Sequence, residues 1–123
     1  MKQISTSNAP AAIGPYSQAI VSGNMVFCSG QIPVDPETGT IAATVEEQAE
    51  QALKNLKNLI EASGSSIDKV VKTTVFIKDM NDFATINEIY AKFFTPPFPA
   101  RSCVEVARLP KDVLLEVEAI AAF

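Results

Sequence analysis

The chain has no histidine, no tryptophan and only two cysteines among its 123 residues. Without histidine it lacks the usual general base near neutral pH, the Ser-His-Asp and Cys-His arrangements, and the commonest zinc ligand. Acid-base chemistry must then fall to carboxylates, Cys, Tyr, Lys or bound water, and no metal site is expected. Cys28 and Cys103 stand far apart in the chain and match no metal-ligand spacing. With no secretory leader in view, two free thiols are expected in place of a disulfide. No apolar run approaches the ~18 residues of a membrane span, and the opening Met-Lys-Gln-Ile-Ser-Thr carries no apolar leader region. A soluble, cytoplasmic chain with no membrane partner is therefore expected. Positive charge is also scarce: 10 Lys and Arg against 14 Asp and Glu leave a net charge of −4. The basic residues are scattered singly, whereas nucleic-acid binding normally needs a clustered basic stripe, so a nucleic-acid partner is not expected.

What is present is a globular composition, 47% hydrophobic and 20% charged. One domain spanning 1–123 is expected. By area scaling, folding would take such a chain from roughly 19,000 Å² of accessible surface to roughly 6,400 Å², enough for a substantial core.

Local patterns give an element order. Residues 2–6 can open with a strand, and Gly14-Pro15 breaks the chain just before Tyr16. Residues 17–21 and 25–32 read as two strands joined at Ser22-Gly23-Asn24, with Gly30 inside the second. A glycine within a strand marks either a bulge or a close approach by ligand or backbone, and local sequence does not choose between them. Thr44 followed by Glu47 is a capping-box pattern, and apolar residues from Val45 to Ile60 recur at helical spacing until Gly64. The β-branched stretch 70–77 reads as a strand, with Asp79 or Asn81 as the cap of a second helix carrying Phe83, Ile86, Ile89, Tyr90 and Phe93. Pro96-Pro97 stops that helix, and 98–121 reads as two more strands joined by a Pro-Lys-Asp turn. The expected architecture is α+β, a two-layer arrangement of a mixed six-stranded sheet with both helices on one face.

The final stretch carries the chemistry. Successive strand side chains alternate faces, so Arg101, Cys103 and Glu105 share one parity. On the last strand Val113, Leu115, Val117, Ala119 and Ala121 form an apolar face, which leaves Glu116 and Glu118 on the other. If the two strands are neighbours, a guanidinium, a thiol and two carboxylates share the face away from the helices, and that face suits burial against other subunits. The planar fork of Arg101 suits a small carboxylate-bearing ligand, or alternatively a plain ion pair with Glu116 or Glu118. Glu116 can position or deprotonate a water where a partly dry site tunes its pKa. Asn87 sits between core positions of the second helix as a packing or a ligand contact, and Cys103 has no histidine to activate it as a nucleophile.

These residues resemble the YjgF/RidA family, the reactive-intermediate deaminases. The resemblance rests on Pro99-Ala100-Arg101-Ser102-Cys103-Val104 and Leu115-Glu116-Val117, with further likeness in 8–19, in Ser29-Gly30-Gln31-Ile32-Pro33 and in 71–79, and it covers nearly the whole chain. It implies a chorismate-mutase-like fold assembled as a homotrimer, with ligand clefts between subunits. It also implies cofactor-free hydrolysis of enamines and imines such as 2-aminoacrylate and 2-iminopropanoate to a 2-keto acid and ammonia. Carried over by motif, Arg101 holds the substrate carboxylate, Ser29 and the backbone of Gly30 help to seat it, and Tyr16, Asn87 and Cys103 line the cleft. Glu116 orients the attacking water and moves protons to the departing ammonia; Glu118 has no assigned part. An alternative within the superfamily is a non-catalytic trimeric binder or sensor of small 2-keto acids. A third, a ribonuclease, is disfavoured by the acidic charge and the missing histidine.

Overall fold

Glycine turns and short polar caps set the element boundaries. In the computed structural model, which describes residues 1–123, β1 (Lys2–Ile4) pairs antiparallel with β2 (Ala19–Ser22). The chain then reverses at Gly23, φ 60°, into β3 (Met25–Gln31). Helix α1 (Val45–Ala62) begins where Thr44 Oγ1 accepts the Glu47 N–H at 3.2 Å and donates to Glu47 Oε1 at 2.9 Å. This is the capping pair read from the sequence, with the glutamate reaching the hydroxyl in place of the backbone. The helix ends at Gly64, φ 94°, with Gly64 N–H bonded to Glu61 O and Ser65 N–H to Ile60 O. That is a Schellman closure, in which a left-handed residue lets the last carbonyls find donors.

After a single 3₁₀ turn comes β4 (Val70–Ile77), and Asp79 then caps a second short turn by accepting the Asn81 N–H at 2.9 Å. Helix α2 (Phe83–Tyr90) is shorter than its periodicity suggested. The turn after Tyr90 swings Phe94 into the core, where the two rings stack at 4.5 Å. The sheet is completed by β5 (Ala100–Glu105) and β6 (Leu115–Ala122).

The strand order is β1-β2-β3-β6-β4-β5, with β5 parallel to β4 and every other pair antiparallel. This corrects the expectation that the last two strands are neighbours: β6 lies between β3 and β4, and β5 is the far edge. Nine residues separate β5 from β6, from Val106 to Leu114, long enough to pass the end of β4 without a tight hairpin. The short loop-helix connection through α2 brings β5 back parallel to β4, as such a crossover must.

Leu53, Leu56, Leu59 and Ile60 of α1 are fully buried with Val117, Ala119 and Ala121 of β6, so the helices cover the face that the odd residues of β6 supply. The mixed six-stranded sheet and its two helices are as read from the sequence. The opposite face has no covering element and exposes Phe27 and Val104. Three buried amides hold the loops at one end of the sheet. Gln18 binds the backbone of Thr6, Ala9 and Pro10; Asn55 donates to Ile32 O and Val34 O; and Gln48 links Ala42 O to the Leu114 N–H. No helix is long and apolar enough to cross a membrane.

Candidate active site

Strand registers decide which predicted residues meet. Thr73 of β4 pairs with Arg101 on one side and Ala119 on the other, so these three point to the same face. Thr73 and Ala119 are buried beneath the helices. Arg101 and Cys103 therefore belong to the helix side, at the edge of the sheet. Phe76 pairs with both Val104 and Glu116, and Thr74 with both Ser102 and Glu118, which places the two glutamates on the open side. The shared face expected for Arg101, Cys103, Glu116 and Glu118 does not exist within the chain. Parity was right within each strand, but the relation between strands depended on register and on the intervening β4. Two strands across and three residues along, the Cα atoms of Arg101 and Glu116 are roughly 14 Å apart.

The arginine half is built on α2. Arg101 Nη1 donates to Asn87 Oδ1 at 2.7 Å, and its guanidinium carbon lies 4.8 Å from the Tyr90 ring centre and 5.5 Å from that of Phe83. Positions 83, 87 and 90 share one helical face, which is why these three side chains reach the same strand edge. Tyr90 is itself fixed by a 2.8 Å hydrogen bond between its hydroxyl and Thr73 Oγ1. Stacked on two rings and tied to one amide, the guanidinium is preorganised without a carboxylate partner, and the only ion pair in the chain joins Arg108 to Asp112. The ion-pair alternative for Arg101 is thus not formed. An open depression of about 420 Å³ lies over it, lined by Asn87, Tyr90, Phe98 and Pro99. Cys103 packs partly into the core, where burial pushes its thiol pKa up against the smaller opposing pull of Arg101. Sequence reasoning gave no ligand role to Tyr90, Phe83 or Phe98; the i, i+3 and i, i+4 spacing around Asn87 was the available signal.

The carboxylate half gathers Tyr16, Ser29, Gly30 and Glu116. Between Cys28 and Gln31 the β3-β6 register slips, so Ser29 and Gly30 together face Glu118 in a bulge. Glu116 lies over Gly30: a Cβ there would stand 1.9 Å from Glu116 Oε2. The bulge reading of this glycine holds; the close approach is made by a side chain, where ligand or backbone was expected. Burial raises the Glu116 pKa, and the charge of Glu118 raises it further. Ser29 Oγ donates to Ser17 O at 2.6 Å, leaving its lone pairs free to accept. Tyr16, held by a turn from its own N–H to Gly14 O at 2.8 Å, joins Gly30, Gln31 and Lys111 around a cavity of about 170 Å³.

The chain is thus a small two-layer α+β protein with an uncompensated arginine at a sheet edge and a glutamate of raised pKa on the opposite face. Residues 6–123 match the model of the endoribonuclease L-PSP family. The 2-iminobutanoate/2-iminopropanoate deaminase of Salmonella typhimurium is 62% identical over 98% of this chain and 96% of its own, and that of Escherichia coli K12 is 61% identical over the same shares. Among solved structures, Escherichia coli TdcF with bound serine superposes with a TM-score of 0.96 at 55% identity, covering 100% of this chain and 99% of that one. RidA from an Antarctic Psychrobacter superposes at 0.97 and 44% identity, with both chains fully covered. The chain belongs to this L-PSP family, the YjgF/RidA proteins.

Proposed function

We propose that the protein is a cofactor-free deaminase, hydrolysing 2-aminoacrylate, 2-iminopropanoate and 2-iminobutanoate to 2-keto acids and ammonia. The observation that carries this reading is the pairing of Arg101, preorganised and without an acidic partner, with a half-buried Glu116 of raised pKa. Near-full-length identity of 61–62% to proteins named for that activity supports it.

The chemistry asks little of the protein. A 2-aminoacrylate enamine tautomerises to the imine, and imines hydrolyse spontaneously, so positioning and proton transfer suffice. Arg101 takes the substrate carboxylate in its fork, with Asn87 fixing the fork's orientation. Glu116 accepts a proton from water as the oxygen adds to the imine carbon. The substrate reacts as its protonated iminium: the carbon-oxygen bond forms as the C=N π electrons pass to nitrogen, giving a carbinolamine with a neutral amine. Glu116 then returns its proton to that amine. As the carbon-nitrogen bond breaks, the O–H electrons form the carbonyl, the hydroxyl proton passes back to the Glu116 carboxylate, and ammonia and the keto acid leave. A carboxyl whose pKa is raised toward neutrality both takes and returns a proton more readily than an ordinary one.

A complete site needs both halves, which lie on opposite faces of one subunit. The reading is therefore of a homotrimer in which the Arg101 edge of one subunit closes over the Glu116 face of the next; three such head-to-tail contacts close a ring. Tyr16, Ser29 and Gly30 line the cleft from the glutamate side, and Asn87 and Cys103 from the arginine side. The exposed Phe27 and Val104 on the open sheet face supply apolar surface for that contact. A coupled assay that generates 2-aminoacrylate and follows pyruvate release tests the activity. Acceleration over the spontaneous rate supports the deaminase, and no acceleration with retained 2-ketobutyrate binding favours a sensor.

A further inference from the structure

Gln31 is 4% exposed, and only one end of its amide has a partner. Nε2 donates to the Ser29 carbonyl at 3.0 Å, while Oε1 is buried with no hydrogen-bond partner, the one side-chain atom of the chain in that state. Gln18, Gln48 and Asn55, equally buried, use both ends. An orphaned acceptor destabilises a fold, and an apolar residue of similar volume at this core-facing position, opposite Val117, would avoid it. The amide is therefore kept for what Nε2 does. The bulge sets two β3 residues against Glu118 and disrupts the ladder beside Ser29. Gln31 reaches back across Gly30 to hold the Ser29 carbonyl, and Gly30, between the two tied residues, is where the Glu116 carboxylate rests.

We infer that Gln31 is a positioning residue for Glu116: its amide clamps the Ser29-Gly30 bulge so that the bare Cα of Gly30 stays under the carboxylate. This rests on the reading of Glu116 as the proton carrier. Held against backbone, the carboxylate is kept from water, in keeping with the desolvation that raises its pKa. With the clamp gone, the bulge relaxes and Glu116 turns toward solvent. The charged and titratable groups around it are Glu118 on its own strand, Lys72 on the open face of β4, and Asp35, Lys111 and Tyr16 at the cavity beside Gly30. The variants below leave all of them in place.

The test compares wild type, Gln31→Met, Gly30→Ala and the double variant by melting temperature, by kcat and KM for 2-iminobutanoate, and by carbon-13 titration of the Glu116 carboxyl. Gln31→Met is expected to melt no lower than wild type, because it removes the orphaned acceptor. Its kcat is expected to fall roughly tenfold with KM within about threefold, and Glu116 to titrate closer to the ordinary 4.5. Gly30→Ala should do the same, and the double variant should be no worse than the worse single one, since both act on one element. If Gln31→Met does not accumulate, Gln31→Leu, which likewise removes both the donor and the orphaned acceptor, carries the same expectations. An unchanged kcat and Glu116 titration in a folded variant overturn the inference, as do losses that add in the double. A wild type without turnover sinks the functional reading instead, while the titration still decides this one.

Discussion

The carboxylate of Glu116 occupies the space that a side chain at Gly30 would fill, with Oε2 1.9 Å and Cδ 2.8 Å from the position of a Cβ. Gly30 does not adopt the left-handed conformation that Gly23, Gly39 and Gly64 do, so backbone freedom is not the reason for this glycine. The close approach is.

That contact gives Glu116 a signed effect on stability. Its folded pKa lies above the ordinary 4.5, so ionising it is less favourable in the folded than in the unfolded chain. The stabilisation it offers is complete below the unfolded pKa and is lost as pH rises through the folded one. Glu116→Gln should therefore melt above wild type at pH 7, the difference vanishing as pH falls below about 4.5, while turnover drops roughly a hundredfold or more. Paired melting curves across pH check the first part, and the pyruvate-release assay the second.

If Arg101 holds the substrate carboxylate as proposed, Arg101→Ala removes a charge-assisted fork and is expected to lose about 3 kcal/mol of transition-state stabilisation, close to a hundredfold in kcat/KM. Arg101→Lys should recover only part of this, because a lysine neither forks nor stacks over Tyr90 and Phe83 as the guanidinium does. Steady-state kinetics on one imine separates the three forms.

Tyr90→Phe keeps the ring under Arg101 and removes the hydroxyl that pairs with Thr73, a residue with no solvent exposure. Orphaning that buried hydroxyl should cost about 1–3 kcal/mol of stability with kcat/KM little changed. Tyr90→Leu, which removes the ring, should weaken keto-acid binding as well. Urea unfolding and calorimetric titration with 2-ketobutyrate distinguish the two effects.

Neither cysteine should behave as a nucleophile. Burial pushes the Cys28 thiol up to about 12, and burial outweighs Arg101 in raising that of Cys103. Alkylation by iodoacetamide at pH 7 should be slow at both, and Cys103→Ser should keep most of the activity, whereas rapid labelling or a loss comparable to Arg101→Ala would put the thiol in the reaction.

The elements themselves were legible in the sequence because each rests on local chemistry: Thr44 and Glu47 cap α1, Gly64 closes it, and the β-branched 70–77 can scarcely be other than a strand. The odd-residue apolar face of β6 was legible for the same reason, since alternation is a property of one strand. What was not legible is the insertion of β6 between β3 and β4. Pairing partners are chosen by the whole sheet, and moving one strand across another carried Arg101 to the opposite face from Glu116. Tyr90 and Phe83 went unassigned because core packing explains such residues equally well until a guanidinium is seen above them. Gln31 stood in the sequence only as one residue of the family-like stretch 29–33, since what singles it out is an atom without a partner.

The separation of Arg101 from Glu116 makes the composite site directly testable. Arg101→Ala and Glu116→Gln subunits, each nearly inactive alone, are unfolded together in equal amounts, refolded as mixed oligomers, and assayed for 2-ketobutanoate release from 2-iminobutanoate. If each cleft takes its arginine from one subunit and its glutamate from the next, one cleft in four receives both intact residues, and activity returns to about a quarter of wild type. A mixture no more active than either variant alone would contradict the account, because it would mean that one subunit supplies both residues.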